Sequence, residues 1–304
     1  MSNPQEYPNA TQSAYNYINA FKLGEPFYPP SEGLIVDEKP DSMALWILGK
    51  ELAISEPGVR EHIVALLVDV GVSSDPLQAE GAEVLRNQQI TEILVGSGLV
   101  KSDIAREATL DALRKLMTQT DLARYEAEFI KALEKKPTEE MFLLIAKARL
   151  PKAKTLVDSL ARSQTWKDSP AAKIALAAMG DTEIENGFLD AAETARNESN
   201  SQAFIDALGT LSLTGTQRSL IYIANQLRTP LVFEVPGAFR KSVRLNVLEA
   251  LLYNFPDQPV LYPNNIVEEE DYTAAEEFCT RKLGVTYTTP PPPFMTYEGF
   301  PIPR

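Results

Sequence analysis

The sequence predicts an all-α fold. Apolar residues recur at helical spacing in one segment after another between residues 41 and 284. Turn and cap signals separate these segments at short intervals. A single run, Leu231-Val232-Phe233-Glu234-Val235 between Pro230 and Pro236, is β-prone, and it reads as a small strand or an extended loop.

The first 40 residues hold six of the 22 prolines and the last 20 hold another six, so both ends read as poor helix formers. The N-terminal arm also carries Tyr7, Tyr15, Tyr17, Phe21, Phe27 and Tyr28, which are expected to pack on the body. Ser42 to Ile54 is the first helix of the body. In Pro57 to Val70, residues Val59, Ile63, Leu66, Leu67 and Val70 share one face, and Gly71 supplies a stop. Pro76 to Val95 reads as a helix with Asp75 as N-cap, interrupted by Gly81. Asp103 to Met117 follows Ser102 as its N-cap. Leu122 to Glu134 is amphipathic. Thr138 to Ala148 is apolar nearly all round from Met141 to Ala146 and reads as a central buried helix.

Lys152 to Ala161 and Pro170 to Met179 come next, the latter ending at Gly180. Thr182 and Glu185 have capping-box spacing for the helix that carries Ile184, Phe188, Leu189 and Ala192. Ser201 to Leu211 and Gln217 to Leu227 continue the series. A loop from Thr229 to Phe239 interrupts it before Arg240 to Tyr253 and Tyr272 to Leu283. So many short helices do not fit a four-helix bundle. They fit a stack in which each pair buries its apolar face on its neighbours.

The segment Pro57-Gly58-Val59-Arg60-Glu61-His62-Ile63-Val64-Ala65-Leu66-Leu67-Val68-Asp69-Val70-Gly71 resembles the second helix of a HEAT repeat. Residues 168–181 and 241–253 resemble it in the same style, and the resemblance covers roughly residues 41–284. The segment from Pro76 to Val95 and the insertion from Thr229 to Phe239 depart from the pattern, and no fixed motif repeats at constant period. The resemblance implies a right-handed α-solenoid of HEAT-like helical hairpins over residues 41–284. Two extended, proline-rich ends would flank it, a proline- and aromatic-rich N-terminal arm over residues 1–40 and a C-terminal tail over residues 285–304. It also implies that Arg60, Arg106 and Arg244, each early in a repeat-type helix, tie neighbouring repeats together through acidic partners. The rival reading is a ladder of arginines lining an anion-binding groove.

The formal net charge of -13 argues against non-specific binding to nucleic acid or anionic lipid. Residues 1–100 carry 5 basic and 14 acidic side chains, a net of -9. Residues 101–173 carry 15 and 11, a net of +4, and residues 174–304 carry 9 and 17, a net of -8. The densest acidic run, Glu268-Glu269-Glu270-Asp271, precedes the last helix. It complements that helix's N-terminal dipole or contributes to partner binding.

Conventional catalytic signatures are missing. His62 is the only histidine, so a multi-histidine zinc site and the H-E-x-x-H arrangement are excluded. No G-x-S-x-G elbow accompanies it, and a structural or surface role is expected. Cys279 is the only cysteine, which forbids an intrachain disulfide. Its spacing between Ala275 and Leu283 reads as a small hydrophobe in a helix. No phosphate-binding glycine motif is present, so no cofactor is expected. No apolar run is long enough to span a bilayer. Met1 to Glu6 shows no signal-peptide character, so a cytoplasmic location is expected, with the periplasm as the alternative if a leader has been removed.

These observations point to a non-enzymatic solenoid that binds another, basic protein. It would serve as an adaptor or scaffold, or as an inhibitor such as an immunity protein masking a toxin. Glu268, Glu269, Glu270 and Asp271 are the candidate partner-binding residues. The alternative is a HEAT-like lyase or DNA glycosylase with carboxylates and aromatics gathered in a concave groove. Trp46 and Trp166 are then the aromatics of interest, and the acidic total counts against that reading. The tail from Thr288 to Tyr297 favours polyproline II geometry and is expected to cap the body through Phe294, Met295, Tyr297 and Phe300. Elemental analysis of protein purified without chelator is expected to show no stoichiometric transition metal. Finding one would overturn the reading of this chain as free of metal.

Overall fold

The computed structural model describes residues 8–24, 31–73, 85, 87–99, 103–235, 239–261 and 269–292. These residues are mostly helical, with fifteen α-helices and two small antiparallel hairpins. The chain divides into two compact units, Met1–Leu144 and Ile145–Arg304.

The first unit begins with α1 (Pro8–Lys22), so the N-terminal arm is not an extended segment. The position of the prolines decides, not their number. Pro8 stands at the first helical residue, where its missing N–H costs nothing, and no proline follows until after Lys22. Ala10, Ala14, Ile18 and Phe21 are buried, and α1 packs on α2 (Ser42–Ile54) and α3 (Pro57–Ser73). A short hairpin, β1 (Ile35–Val36) with β2 (Lys39–Pro40), leads into α2. Asp37 and Glu38 turn it at φ of 49° and 62°. Asp41 then caps α2, its Oδ1 accepting from the Met43 and Ala44 amides at 3.1 and 2.8 Å.

Gly71 does not end α3, which continues to Ser73. Its role is close approach: a Cβ there would overlap Leu85 Cδ1 and lie 3.2 Å from Ile90 Cδ1. The expected long helix to Val95 is also absent where the chain is described. The Leu85 amide donates to the Leu116 carbonyl at 2.8 Å, and Asn87 caps a new helix, α4 (Gln88–Ile93), which runs into a π-helical turn over Leu94–Gly98. Asp75, Pro76 and Gly81 lie outside the described residues, as does Ser102. Next come α5 (Asp103–Leu116), α6 (Gln119–Ala123), α7 (Glu126–Lys135) and α8 (Glu139–Ala148). The single helix expected from Leu122 to Glu134 is broken at Arg124 and Tyr125. The boundary between the units falls inside α8, whose Met141, Phe142, Leu144, Ile145 and Ala146 are fully buried.

The second unit continues with α9 (Lys154–Ala161), α10 (Pro170–Ala178), α11 (Thr182–Asn197), α12 (Ser201–Thr214) and α13 (Gln217–Asn225). Successive helices pack on one another, α10 on α11, α11 on α12 and α12 on α13. The capping box expected at Thr182 and Glu185 does not form. Asp181 is the N-cap, accepting from the Ile184 amide at 3.1 Å. Glu185 is 6% exposed and turns inward, where it accepts from the Thr216 hydroxyl and from Ser219 Oγ at 3.2 Å, tying α11 to α13. Gly215, at φ 59°, closes α12 in the left-handed conformation.

The β-prone run pairs as β3 (Val232–Val235) with β4 (Phe239–Ser242), Phe233 opposite Lys241. Residues 239–242 therefore belong to a strand, and α14 spans Arg244–Leu252 rather than starting at Arg240. The last helix is α15 (Glu269–Leu283). Phe204, Leu208, Leu211, Val247 and Leu248 form the centre of this unit's core.

Replacing Asp181 by alanine is expected to destabilise the protein by about 1 kcal/mol, because the cap of α11 is lost. Thr182→Ala should have a much smaller effect, and urea unfolding of the two variants separates the two registers.

Candidate functional site

The first unit carries an open cleft of about 490 Å³ lined by Glu61, Glu107, Ala108, Asp111, Thr138, Glu139 and Glu140. Three elements supply its carboxylates. Glu61 comes from the first turns of α3. Glu107 and Asp111 lie four residues apart on α5 and so share a face. Glu139 and Glu140 open α8, where Thr138 Oγ1 accepts from the Met141 amide at 3.3 Å. Carboxylates at that position also complement the dipole of α8.

Two cations enter this acidic surface. Arg114, with its side chain 14% exposed, donates to Asp111 Oδ1 at 2.9 Å and lies 3.6 Å from Glu140 Oε2. Lys115 pairs with Asp111 Oδ2 at 2.9 Å. Arg114 thus bridges α5 and the start of α8, and it holds together two carboxylate-bearing elements that would otherwise repel. Glu61, Glu107 and Glu139 are exposed to solvent. Among the described residues five carboxylates line the cleft, and this acidic lining suits a cationic group. No group of three or more His, Cys, Asp or Glu side chains among the described residues is arranged to hold a metal.

The residues singled out from sequence fall elsewhere. Glu268 lies outside the described residues. Glu269, Glu270 and Asp271 form the first turn of α15, and their side chains also lie outside the description. His62 is exposed, and its ring sits 5.2 Å from that of Phe21 on α1. Cys279 is fully buried, and burial pushes its thiol pKa up to about 11, against the opposing effect of a bond with the Tyr287 hydroxyl. It behaves as a hydrophobe and is no nucleophile.

Arg60 is half-buried, and its Nε has no hydrogen-bond partner among the described residues, so no acidic tie is seen there. The Arg106 side chain lies outside the description. Arg244 is 3% exposed and stacks its guanidinium 3.6 Å from the Tyr272 ring centroid. Trp46, on α2 of the first unit, is half-exposed beneath Lys50 Nζ at 4.5 Å. Trp166 is half-buried in the second unit, and neither ring lines the acidic cleft.

The cleft was not found from sequence because charge was averaged along the chain. Four of its five carboxylates lie within residues 101–173, the one segment with a positive net charge. The usable signal was the i,i+4 spacing of Glu107 and Asp111 together with the paired glutamates at the start of α8. No helix of the described residues is long and apolar enough to cross a membrane. No family model, no curated protein and no solved structure matches this chain.

Removing the guanidinium with Arg114→Ala is expected to destabilise the protein by up to about 1 kcal/mol, since Asp111 and Glu140 lose their bridge but stay partly solvated. Urea unfolding reads the effect. Unchanged stability would mean that the bridge is an incidental surface pair.

Proposed function

We propose that this chain is a non-enzymatic helical-repeat protein that binds a basic protein partner, as an adaptor or as an inhibitor of the immunity type. The open cleft of five carboxylates carries this reading, because it offers a concave negative surface without a metal-binding arrangement among the described residues. The sequential packing of α10 through α13 supports an arrangement of helical hairpins of the HEAT-like kind, wound as a right-handed α-solenoid. The acidic flanks, with net charges of -9 and -8, would add a longer-range field that steers a cationic partner toward the protein. Glu268, Glu269, Glu270 and Asp271 belong to that field.

Charge of this kind acts mainly on the association rate, and salt screens it over about 8–10 Å. The partner is first captured from a lysate of the native host and identified by mass spectrometry. Association is then measured with a cleft variant (Glu61→Gln, Glu107→Gln and Glu139→Gln together). A flank variant replaces Glu268, Glu269 and Glu270 with Gln and Asp271 with Asn. Both should associate more slowly at low salt, the cleft variant more so, with far-UV circular dichroism unchanged. An association rate indifferent to both variants and to added salt would sink the electrostatic reading and point to an apolar contact surface.

A further inference from the structure

We propose that residues 284–292 form a releasable strap, latched by Arg228, that opens while the second unit stays folded. The strap leaves α15 at Gly284, whose φ of +73° lies in the left-handed region and whose Cβ position is open space. That is the geometry of a hinge: a conformation that favours glycine, with nothing packed against it. Beyond it the chain is extended, and its side chains alternate. Val285 is buried, Thr286 exposed, Tyr287 half-buried and Thr288 exposed. Prolines at 290–292 stiffen the far end, so the segment moves as one piece.

The strap is held by Val285 and Tyr287, which pack on the unit's core, and by a few polar contacts, two of which come from Arg228. Arg228 donates from Nε and Nη2 to the two carboxylate oxygens of Glu276 on α15, at 3.1 and 2.8 Å. That fork fixes its plane. From this position its guanidinium lies 4.8 Å from the Tyr287 ring centroid, and its Nη1 donates to the Thr289 carbonyl. The Tyr287 hydroxyl donates to the Ala224 carbonyl at 3.2 Å and lies against the Cys279 thiol. Among the described residues, no backbone–backbone hydrogen bond ties residues 285–292 to the rest of the unit. A segment without backbone pairing belongs to the lower-stability end of a fold, with Val285 and Tyr287 as its anchors on the core formed by α13 and α15. Opening withdraws Tyr287 from Cys279 and uncovers the apolar face between those helices.

Cys279 is the only cysteine and therefore reports on the strap without ambiguity. Native full-length protein is exposed to N-ethylmaleimide, and modification is followed by mass spectrometry across low urea concentrations. Modification of the wild type should proceed by an opening that is nearly independent of urea, faster than global unfolding allows. Arg228→Ala should accelerate it about tenfold, equivalent to about 1.4 kcal/mol of latch energy. Glu276→Gln, which frees the fork while keeping the arginine, should accelerate it less. Both variants should lower the urea midpoint by no more than this latch energy accounts for, while modification stays nearly independent of urea. The proposal is overturned if modification depends on urea as steeply as global unfolding does. It is also overturned if the variants leave the rate unchanged, or if the modification they accelerate acquires the urea dependence of global unfolding.

Discussion

A chain of short helices is a chain of helix ends, and the satisfaction of those ends is the constraint on which this structure depends. Helices of five to seventeen residues are marginal by themselves. Each must bury a face on a neighbour, and each leaves unpaired amides at one end and unpaired carbonyls at the other. At many of the helices the amide end is met by a side chain immediately before the helix, whereas α7, α9 and α14 have no such cap. Asp41, Asn87, Thr118, Ser169, Asp181, Asn200 and Thr216 each accept from an amide of the first turn. These residues set where one helix ends and the next begins, and so decide which apolar faces can meet.

The carbonyl ends are met differently. Gly180 and Gly215 adopt positive φ, and Arg149, at φ 48°, bonds its amide to the Ile145 carbonyl at 2.9 Å. The Arg149 guanidinium lies by Gly215 at the end of α12, with Nη2 3.2 Å from where a Cβ would stand. A cation there faces the negative end of α12 as well as that of its own helix. Burial lowers the pKa of Arg149, and the adjoining helix ends offset that desolvation.

Local chemistry was legible in the sequence to the extent that it is local. Ser42 to Ile54 is read to the residue, and both ends are locally satisfied, by Asp41 at the first turn and by the Ser55 amide bonding the Glu51 carbonyl. The register of α11 is misread because Asp181 and Thr182 are both good caps, and the choice rests on where Glu185 goes. Its position under α13 is a tertiary fact. The helix α1 is missed because proline was counted over a long window. The hairpin after Pro230 is only half seen because Phe239 to Ser242 gains strand character from its pairing with Val232 to Val235. The acidic cleft draws on α3, α5 and α8, so no window along the chain contains it.

Charge is also distributed by depth, and this changes what the net charge of -13 means. The second unit holds several cations on tyrosine rings: Lys147 over Tyr253 at 4.5 Å, Arg228 over Tyr287 at 4.8 Å and Arg244 over Tyr272 at 3.6 Å. Lys147 and Arg244 are 5% and 3% exposed. A desolvated cation on a ring gains about 2 kcal/mol or more, which offsets part of the cost of leaving water. The acidic residues lack such shelter, and Glu185 is the one carboxylate of this unit that is buried among the described residues. Withdrawing cations from the surface while carboxylates stay outside makes that surface more acidic than the composition suggests. A cationic partner would meet this exposed charge first, which is why the rate of association rather than the strength of final contacts is the quantity that charge should govern here.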